Sequence, residues 1–117
     1  MSDIVRFTTN AGRGRAVIRN GIAFFGGHVA DDRTQDIRGQ VTQALAKLDR
    51  SLALVGTDKT RLLSAQIWLK DITSDFAIMN DVWDAWLSPE DFPARASAQC
   101  LMGAPDCLVE IIVTAAV

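Results

Sequence analysis

The sequence predicts a single α+β domain spanning residues 1–117, with a mixed β-sheet and two helices packed on one of its faces. An Asn-Gly pair lies between two short apolar runs near the start, and two segments with helical periodicity flank one with a period of two. The last segment, 108–116, is apolar at both parities, as in strands that are covered on both faces. These observations predict alternating strands and helices, with the last strand inside the sheet.

Three β-like segments open the chain, over 4–8, 16–19 and 22–26. Asn20 and Gly21 separate the last two, and both residue types tolerate the positive φ angles of a tight hairpin turn. We therefore expect the fold to begin with a hairpin.

The first helix is expected over 34–55, where apolar residues recur three and four apart and Gly56 follows as a C-cap candidate. The next segment, 61–70, alternates as a strand with one buried face does. The apolar residues on its buried parity are Leu63, Ala65, Ile67 and Leu69.

The second helix is expected to begin with Ser74 or Asp75 as its N-cap and to end before Pro89. We interpret the three tryptophans as core residues rather than as a stacking platform, because indole rings bury a large apolar area. They are Trp68, Trp83 and Trp86.

Two more strands, 94–101 and 108–116, complete the order β, β, β, α, β, α, β, β. Two helices can cover only one face of such a sheet. The apolar opposite face needs another cover, and a copy of the same chain is the economical one. A homo-oligomer is therefore expected.

Composition excludes several classes of protein. The net charge of −2 gives no basic footprint for nucleic-acid binding. The start has no signal-peptide pattern, and no apolar run reaches the length of a membrane span, so we expect a cytoplasmic protein without a membrane partner.

Cys100 and Cys107, with a single histidine in the chain, do not match a four-ligand zinc site. We expect two reduced thiols and no metal.

The N-terminal half offers two candidate ligand contacts. Arg13 lies in the glycine-rich stretch 10–16, which lacks the lysine of a phosphate-binding loop but could border an anionic pocket. His28 follows Gly27 at a strand end, where the backbone can approach a ligand closely. A flexible basic loop and a structural histidine are the alternatives.

The C-terminal half contains the more informative pair, Arg95 and Glu110. Glu110 lies in an apolar strand, where an unpaired charge costs several kcal/mol. Arg95 precedes the small residues Ala96, Ser97 and Ala98, which leave room for a carboxylate ligand beside its guanidinium. Pattern alone leaves two interpretations open, a carboxylate-binding site and a salt bridge between Arg95 and an acid such as Glu110.

The segment FPARASAQCLMGAPDCLVEIIVTAAV resembles the C-terminal signature of the Rid family, also called the YjgF, RutC or endoribonuclease L-PSP family. The shared features are Pro-x-Arg, a strand, a turn with proline, Val-Glu-Ile and a small apolar end. The resemblance extends to FFGG before the first helix, to LLSAQIWLKD, and to DFAIMNDVWDAW in the second helix.

The resemblance implies a chorismate-mutase-like α+β fold that assembles as a homotrimer with a ligand cleft at each subunit interface. It implies an enamine/imine deaminase that hydrolyses 2-aminoacrylate and 2-imino acids to 2-keto acids and ammonia without a cofactor. The implied partner is a small-molecule carboxylate. The alternatives are a non-catalytic binder of 2-keto acids and, against the acidic net charge, a ribonuclease or translation inhibitor.

Family roles transfer to individual residues by this resemblance. Arg95 corresponds to the arginine that grips the substrate carboxylate, Glu110 to the glutamate that activates water, and Asn80 to an asparagine near the cleft, while Gly27 belongs to the strand-end glycines. Four positions differ from the family pattern. Arg13 replaces a tyrosine, Gly26 a hydroxyl residue, His28 a glutamine and Ser97 a cysteine.

Overall fold

The computed structural model describes residues 3–8 and 14–117, which form one six-stranded sheet and two α-helices. The strands are β1 (Val5–Thr8), β2 (Gly14–Arg19), β3 (Ile22–Phe25), β4 (Leu62–Leu69), β5 (Ala94–Gln99) and β6 (Val109–Ala116), and the helices are α1 (Ile37–Leu54) and α2 (Ile72–Trp86). The sheet order is β1-β2-β3-β6-β4-β5, in which only β4 and β5 pair in parallel. The predicted α+β class and the interior position of the last strand are confirmed.

The hairpin between β2 and β3 turns at Asn20 and Gly21, as predicted. Their φ angles are 53° and 75°, and Asn20 is the only non-glycine residue with positive φ in the described ranges. Positive φ at both central residues matches the right-handed twist of the flanking strands. The turn therefore fixes the pairing of β2 with β3.

Helix α1 begins after Asp36, later than the sequence predicted. The Asp36 side chain accepts a hydrogen bond of 2.9 Å from the backbone N–H of Gly39. At the other end Gly56 has a φ of 81°, and its N–H donates to the Ala53 carbonyl at 3.0 Å. The predicted glycine cap is confirmed, because a left-handed residue satisfies the free carbonyls of the last turn.

The predicted N-cap of α2 is wrong by one turn. Asp71 is the N-cap, and its Oδ1 accepts a hydrogen bond of 3.2 Å from the Ser74 N–H. The earlier start lets Ile72 pack against the core. Asp75 then lies in the first turn, where its charge favours the positive end of the helix dipole.

The predicted buried parity of β4 is wrong at its start. A bulge between Leu62 and Ser64 adds one residue, so Leu62 is buried and Leu63 is 44% exposed. Trp68 is likewise not a core residue, since it lies on the opposite face of β4 and is 36% exposed. Only Trp83 is fully buried, and Trp86 packs partly buried beside it.

Both helices pack on the same face of the sheet, which we call the helix face. Alternate residues of β4 and β6 contact α1 and α2 there, and burying each leucine or isoleucine stabilises the fold by about 1.5–3 kcal/mol. The central contributors are Val41, Leu45, Leu48, Leu52, Ala65, Ile67, Leu69, Met79, Trp83, Val109, Ile111 and Val113.

No element of the described chain covers the other face, which we call the open face. Phe24 is 50% exposed there, beside Thr114 of β6, and Trp68 lies across β6 from it. The expectation of an uncovered apolar face is confirmed. Within the described ranges, no helix is long and apolar enough to cross a membrane.

A buried glutamine, Gln40 of α1, fixes the entry into β6. Its Oε1 accepts a hydrogen bond of 3.0 Å from the Leu108 N–H, and its Nε2 donates to the carbonyls of Arg33, Gln35 and Asp106. A buried side-chain amide is stable only when its N–H and C=O groups are hydrogen-bonded, and this requires one specific arrangement of the surrounding backbone groups. Gln40 therefore fixes Leu108, the residue just before β6 and two residues before Glu110.

Candidate functional site

Arg95 lies near the start of β5, one of the two edge strands, and its guanidinium faces α2. Its Nη2 donates a hydrogen bond of 2.6 Å to Oδ1 of Asn80, and its Cζ lies 5.4 Å from the ring centroid of Trp83. A cation over an indole face and one amide acceptor hold the side chain in place. The guanidinium has five N–H donors, so this contact leaves most of them for a ligand.

A cleft of about 210 Å³ opens beside this guanidinium. It is lined by Trp83, Asp84, Phe92, Pro93 and Arg95. A space of this size suits a small molecule rather than a polymer.

Ser97 follows Arg95 by two residues and therefore points to the same face of β5. Its register partner is Ile67, which is fully buried on the helix face. The Ser97 Oγ is buried and has no hydrogen-bond partner in the described part of the chain. We call Arg95, Asn80, Ser97 and the adjoining cleft the arginine half-site.

Glu110 lies on β6 opposite Trp68, and its carboxylate rests on the backbone of Gly27. A Cβ added at Gly27 would overlap the Glu110 Oε2 and lie 2.7 Å from its Cδ. The half-buried carboxylate forms no ion pair or hydrogen bond with any residue that the structure describes. We call Glu110 and Gly27 the glutamate half-site.

The two half-sites lie on opposite faces of the sheet. Arg95 pairs with Ala65, which is buried on the helix face, whereas Glu110 pairs with Trp68 on the open face. Register partners share a face, and residues three apart on one strand point to opposite faces. The Arg95–Glu110 salt bridge that the sequence left open does not form within one chain. One ligand cannot contact both residues of the same chain.

The structure also turns the His28 ring away from both half-sites and corrects its expected place among the ligand contacts. Its backbone pairs with Ile111, and its ring points to the helix face, where Nε2 lies 2.8 Å from Oγ of Ser51. The ring is buried, and burial lowers the pKa of His28 to about 4. His28 is therefore a neutral core residue beside the glutamate half-site.

Arg13 lies outside the described residues, so its predicted place at an anionic pocket stays a prediction. The sequence did not identify Trp83, Asp84 and Phe92 as lining a site. Asp84 follows Asn80 by four residues, a spacing that places both on one helix face. Phe92 lies only three residues before Arg95 in the sequence, so its position close to the Arg95 side chain was predictable.

The cysteines flank the last two strands as expected. Cys100 follows β5, Cys107 precedes β6, and both are free thiols. Burial raises the pKa of the Cys107 thiol. Among residues 3–8 and 14–117, no group of three or more histidine, cysteine or acidic side chains is arranged to hold a metal ion.

Comparisons with known proteins agree with this architecture. A family model described as Endoribonuclease L-PSP matches residues 4–117. A RutC family protein of Haemophilus ducreyi is 40% identical over 100 residues, which make up 86% of this chain and 85% of the relative. The RutC family protein YoaB of Escherichia coli is 36% identical over 114 residues, covering 97% of this chain and 98% of the relative.

Solved structures give the same result. A member of the YjgF protein family from Neisseria meningitidis matches with a TM-score of 0.91 and 39% identity, over 97% of this chain and 94% of that one. An uncharacterised protein from Pseudomonas aeruginosa matches with a TM-score of 0.90 and 37% identity, over 97% of both chains.

Proposed function

Because this chain belongs to the endoribonuclease L-PSP family, which includes the RutC and YjgF proteins, we propose that it is a homotrimeric enamine/imine deaminase. Its substrates would be 2-aminoacrylate-type enamines and 2-imino acids, which it would hydrolyse to 2-keto acids and ammonia in the cytoplasm without a cofactor. The observation that supports this most is a fixed, ligand-accessible arginine on one face of the sheet and, on the other, a carboxylate that has no polar partner among residues 3–8 and 14–117.

The opposite placement of the two half-sites favours a ring of subunits. A symmetric dimer joins one surface to the same surface of its partner, whereas a cyclic trimer joins two different surfaces at every interface. In the proposed trimer, the arginine half-site of one subunit meets the glutamate half-site of the next. Burial of the open face, with Phe24 and Trp68, would supply the apolar contact area.

The chemistry requires only positioning and one proton acceptor. Arg95 would bind the substrate carboxylate with the N–H groups that Asn80 leaves free. Glu110 of the next subunit would take a proton from water as the water oxygen bonds to the imine carbon. That proton would pass to the imine nitrogen to give a carbinolamine. The proton of its hydroxyl group would then move to the amine nitrogen, the C–N bond would break, and ammonia would leave as the carbonyl forms. The overall reaction converts one imino acid and one water molecule into one keto acid and one ammonia molecule.

Ser97 has a specific part in this proposal. Its buried hydroxyl lacks a hydrogen-bond partner and lies on the same face as Arg95, two residues further along β5. Such a group costs free energy while it has no partner. The oxygen is enclosed and does not line the cleft, so we propose that Ser97 contacts the substrate only after the side chains around it shift on binding.

The experiment is an imine-hydrolysis assay in which an amino-acid oxidase generates the imino acid in place. The wild-type protein should accelerate keto-acid formation above the uncatalysed rate, and Arg95→Ala should lower kcat/KM by about 100-fold or more, since a charge-assisted contact is lost. Arg38→Ala is the matched control, because the Arg38 side chain is exposed and forms an ion pair with Asp81 away from the cleft. A wild-type rate equal to the uncatalysed one would refute the enzymatic proposal.

A carboxylate-binding protein without turnover is the second candidate. It is favoured by the observation that the arginine half-site is complete within one chain, whereas Glu110 lies elsewhere. Calorimetric titration with small 2-keto acids would distinguish the two. Binding that Arg95→Ala abolishes, together with no imine hydrolysis, would establish the binding role.

A further inference from the structure

The cleft beside Arg95 contains a negative charge as well as a positive one. Asp84 lines the same 210 Å³ space, and its carboxylate has no hydrogen-bond or ion-pair partner in the ranges 3–8 and 14–117. Asp84 and Arg95 do not form an ion pair with each other, although the pocket exposes both. Two opposite charges that share a small cleft without neutralising each other are both available to a ligand.

The arrangement on α2 explains why the two charges stay apart. Asn80 lies one turn before Asp84 on the same helix face and accepts the hydrogen bond from the Arg95 Nη2. The Trp83 ring lies 5.4 Å beneath the guanidinium and holds it from the other side. A neutral amide therefore occupies the contact that a carboxylate would otherwise take, and Asp84 remains open toward the cleft.

The aromatic residues at the cleft add a preference for ligands with a cationic or aliphatic side chain. The half-exposed Phe92 lines the cleft together with the two charged residues, whereas Trp83 is 2% exposed and lies beneath the guanidinium. Aromatic faces attract cations and the aliphatic stems that precede them. The Asp84 carboxylate beside such a surface favours a ligand with a positively charged side chain and disfavours one with a negatively charged side chain.

We propose that Asp84 is a specificity-determining residue that selects substrates with a positively charged side chain. This inference rests on the proposed imine deaminase activity. The substrate carboxylate would bind Arg95, its aliphatic stem would lie along Phe92, and its cationic end would face Asp84. Imino acids with acidic side chains would be rejected by like-charge repulsion.

The test compares three imino acids, generated by amino-acid oxidases from arginine, methionine and glutamate, which differ chiefly in side-chain charge. The wild-type kcat/KM should fall in that order. Asp84→Asn should reduce the preference for the cationic over the neutral imine by about fivefold to tenfold, mainly through KM, as expected for one partly solvated charge pair. The acidic imine should become a better substrate in the same variant.

Asp81→Asn is the matched control, because it removes the same charge from the same helix at an exposed residue that pairs with Arg38 outside the cleft. It should leave the preference within about twofold of wild type. If Asp84→Asn hydrolyses the neutral imine and keeps the wild-type preference, the role of Asp84 is refuted while the deaminase proposal survives. If the wild-type protein hydrolyses none of the three, both are refuted.

Discussion

Arg95 and Glu110 lie on opposite faces of one sheet, with β4 between their strands. Arg95 pairs with the buried Ala65 and Glu110 pairs with the half-exposed Trp68, so the two charged side chains leave the sheet in opposite directions. No rotamer change can bring them to one small ligand. A reaction that uses both residues must therefore take place between two copies of the chain.

Assembly through the open face can be tested with a charge at its centre. Phe24 is 50% exposed and pairs with Thr114, which shares a face with Glu110. Phe24→Glu should convert the proposed particle of three 12.7 kDa chains into monomers and abolish the proposed imine hydrolysis, because a charge buried in an apolar interface is costly. Analytical ultracentrifugation provides the measurement.

Phe76→Glu is the control for that substitution, since Phe76 is also partly exposed but lies on α2, across the sheet. It should sediment as the wild-type protein does. A Phe24→Glu protein that still sediments as three chains would contradict the proposed interface.

The position of the Glu110 carboxylate depends on the missing side chain at Gly27. Gly27→Ala would place a methyl group where the carboxylate now lies, so Glu110 must move while its charge is retained. We expect kcat to fall by about tenfold or more with little change in melting temperature, because a displaced base loses its alignment with water. Gly103→Ala is the control, since a Cβ there has no neighbour within 4 Å. Equal kcat values for the two variants would show that the Gly27 contact has no part in catalysis.

Buried His28 predicts a defined loss of stability in mild acid. Its pKa is lowered to about 4 in the folded chain from 6.5, chiefly by burial, so protonation favours the unfolded state. The contribution is fully present above pH 6.5 and is lost as the pH falls toward 4, by up to about 3 kcal/mol. Lowered carboxyl pKa values, such as that of Asp31, affect stability only below their ordinary value of 3.8.

Urea unfolding at fixed protein concentration, at several pH values from 7.5 to 4.5, measures this effect. His28→Gln should flatten the pH dependence in that window, because the glutamine has no proton to gain. The same slope in both proteins would show that another group is responsible.

Local turn chemistry made part of the fold predictable from sequence. Asn20-Gly21 specified a hairpin, and Gly56 specified a helix end, because each position requires a positive φ that few residues adopt. The start of α2 was predicted wrongly at Ser74 or Asp75, because Asp71, which was not considered, is an equally capable N-cap. Packing of Ile72 decided among them, and that is a tertiary effect.

The relation between the two half-sites could not be read from one strand at a time. Parity assigns a face within a strand, but relating Arg95 to Glu110 requires the registers of β5 and β6 on β4. The bulge at Leu63 shows how one added residue shifts that relation. His28 was misplaced for a similar reason, because its bridge to Ile111, absent from any local pattern, fixes the direction of its ring.

The most direct test of a site shared between subunits is complementation between two inactive variants. Arg95→Ala retains Glu110, and Glu110→Gln retains Arg95, so each homotrimer should be inactive while mixed trimers contain some interfaces with both intact residues. Refolding the two together at equal amounts should restore imine hydrolysis at about one quarter of the wild-type sites, because half of the chains supply each partner at random. Activity of the refolded mixture that stays at the level of the separate variants would contradict the account.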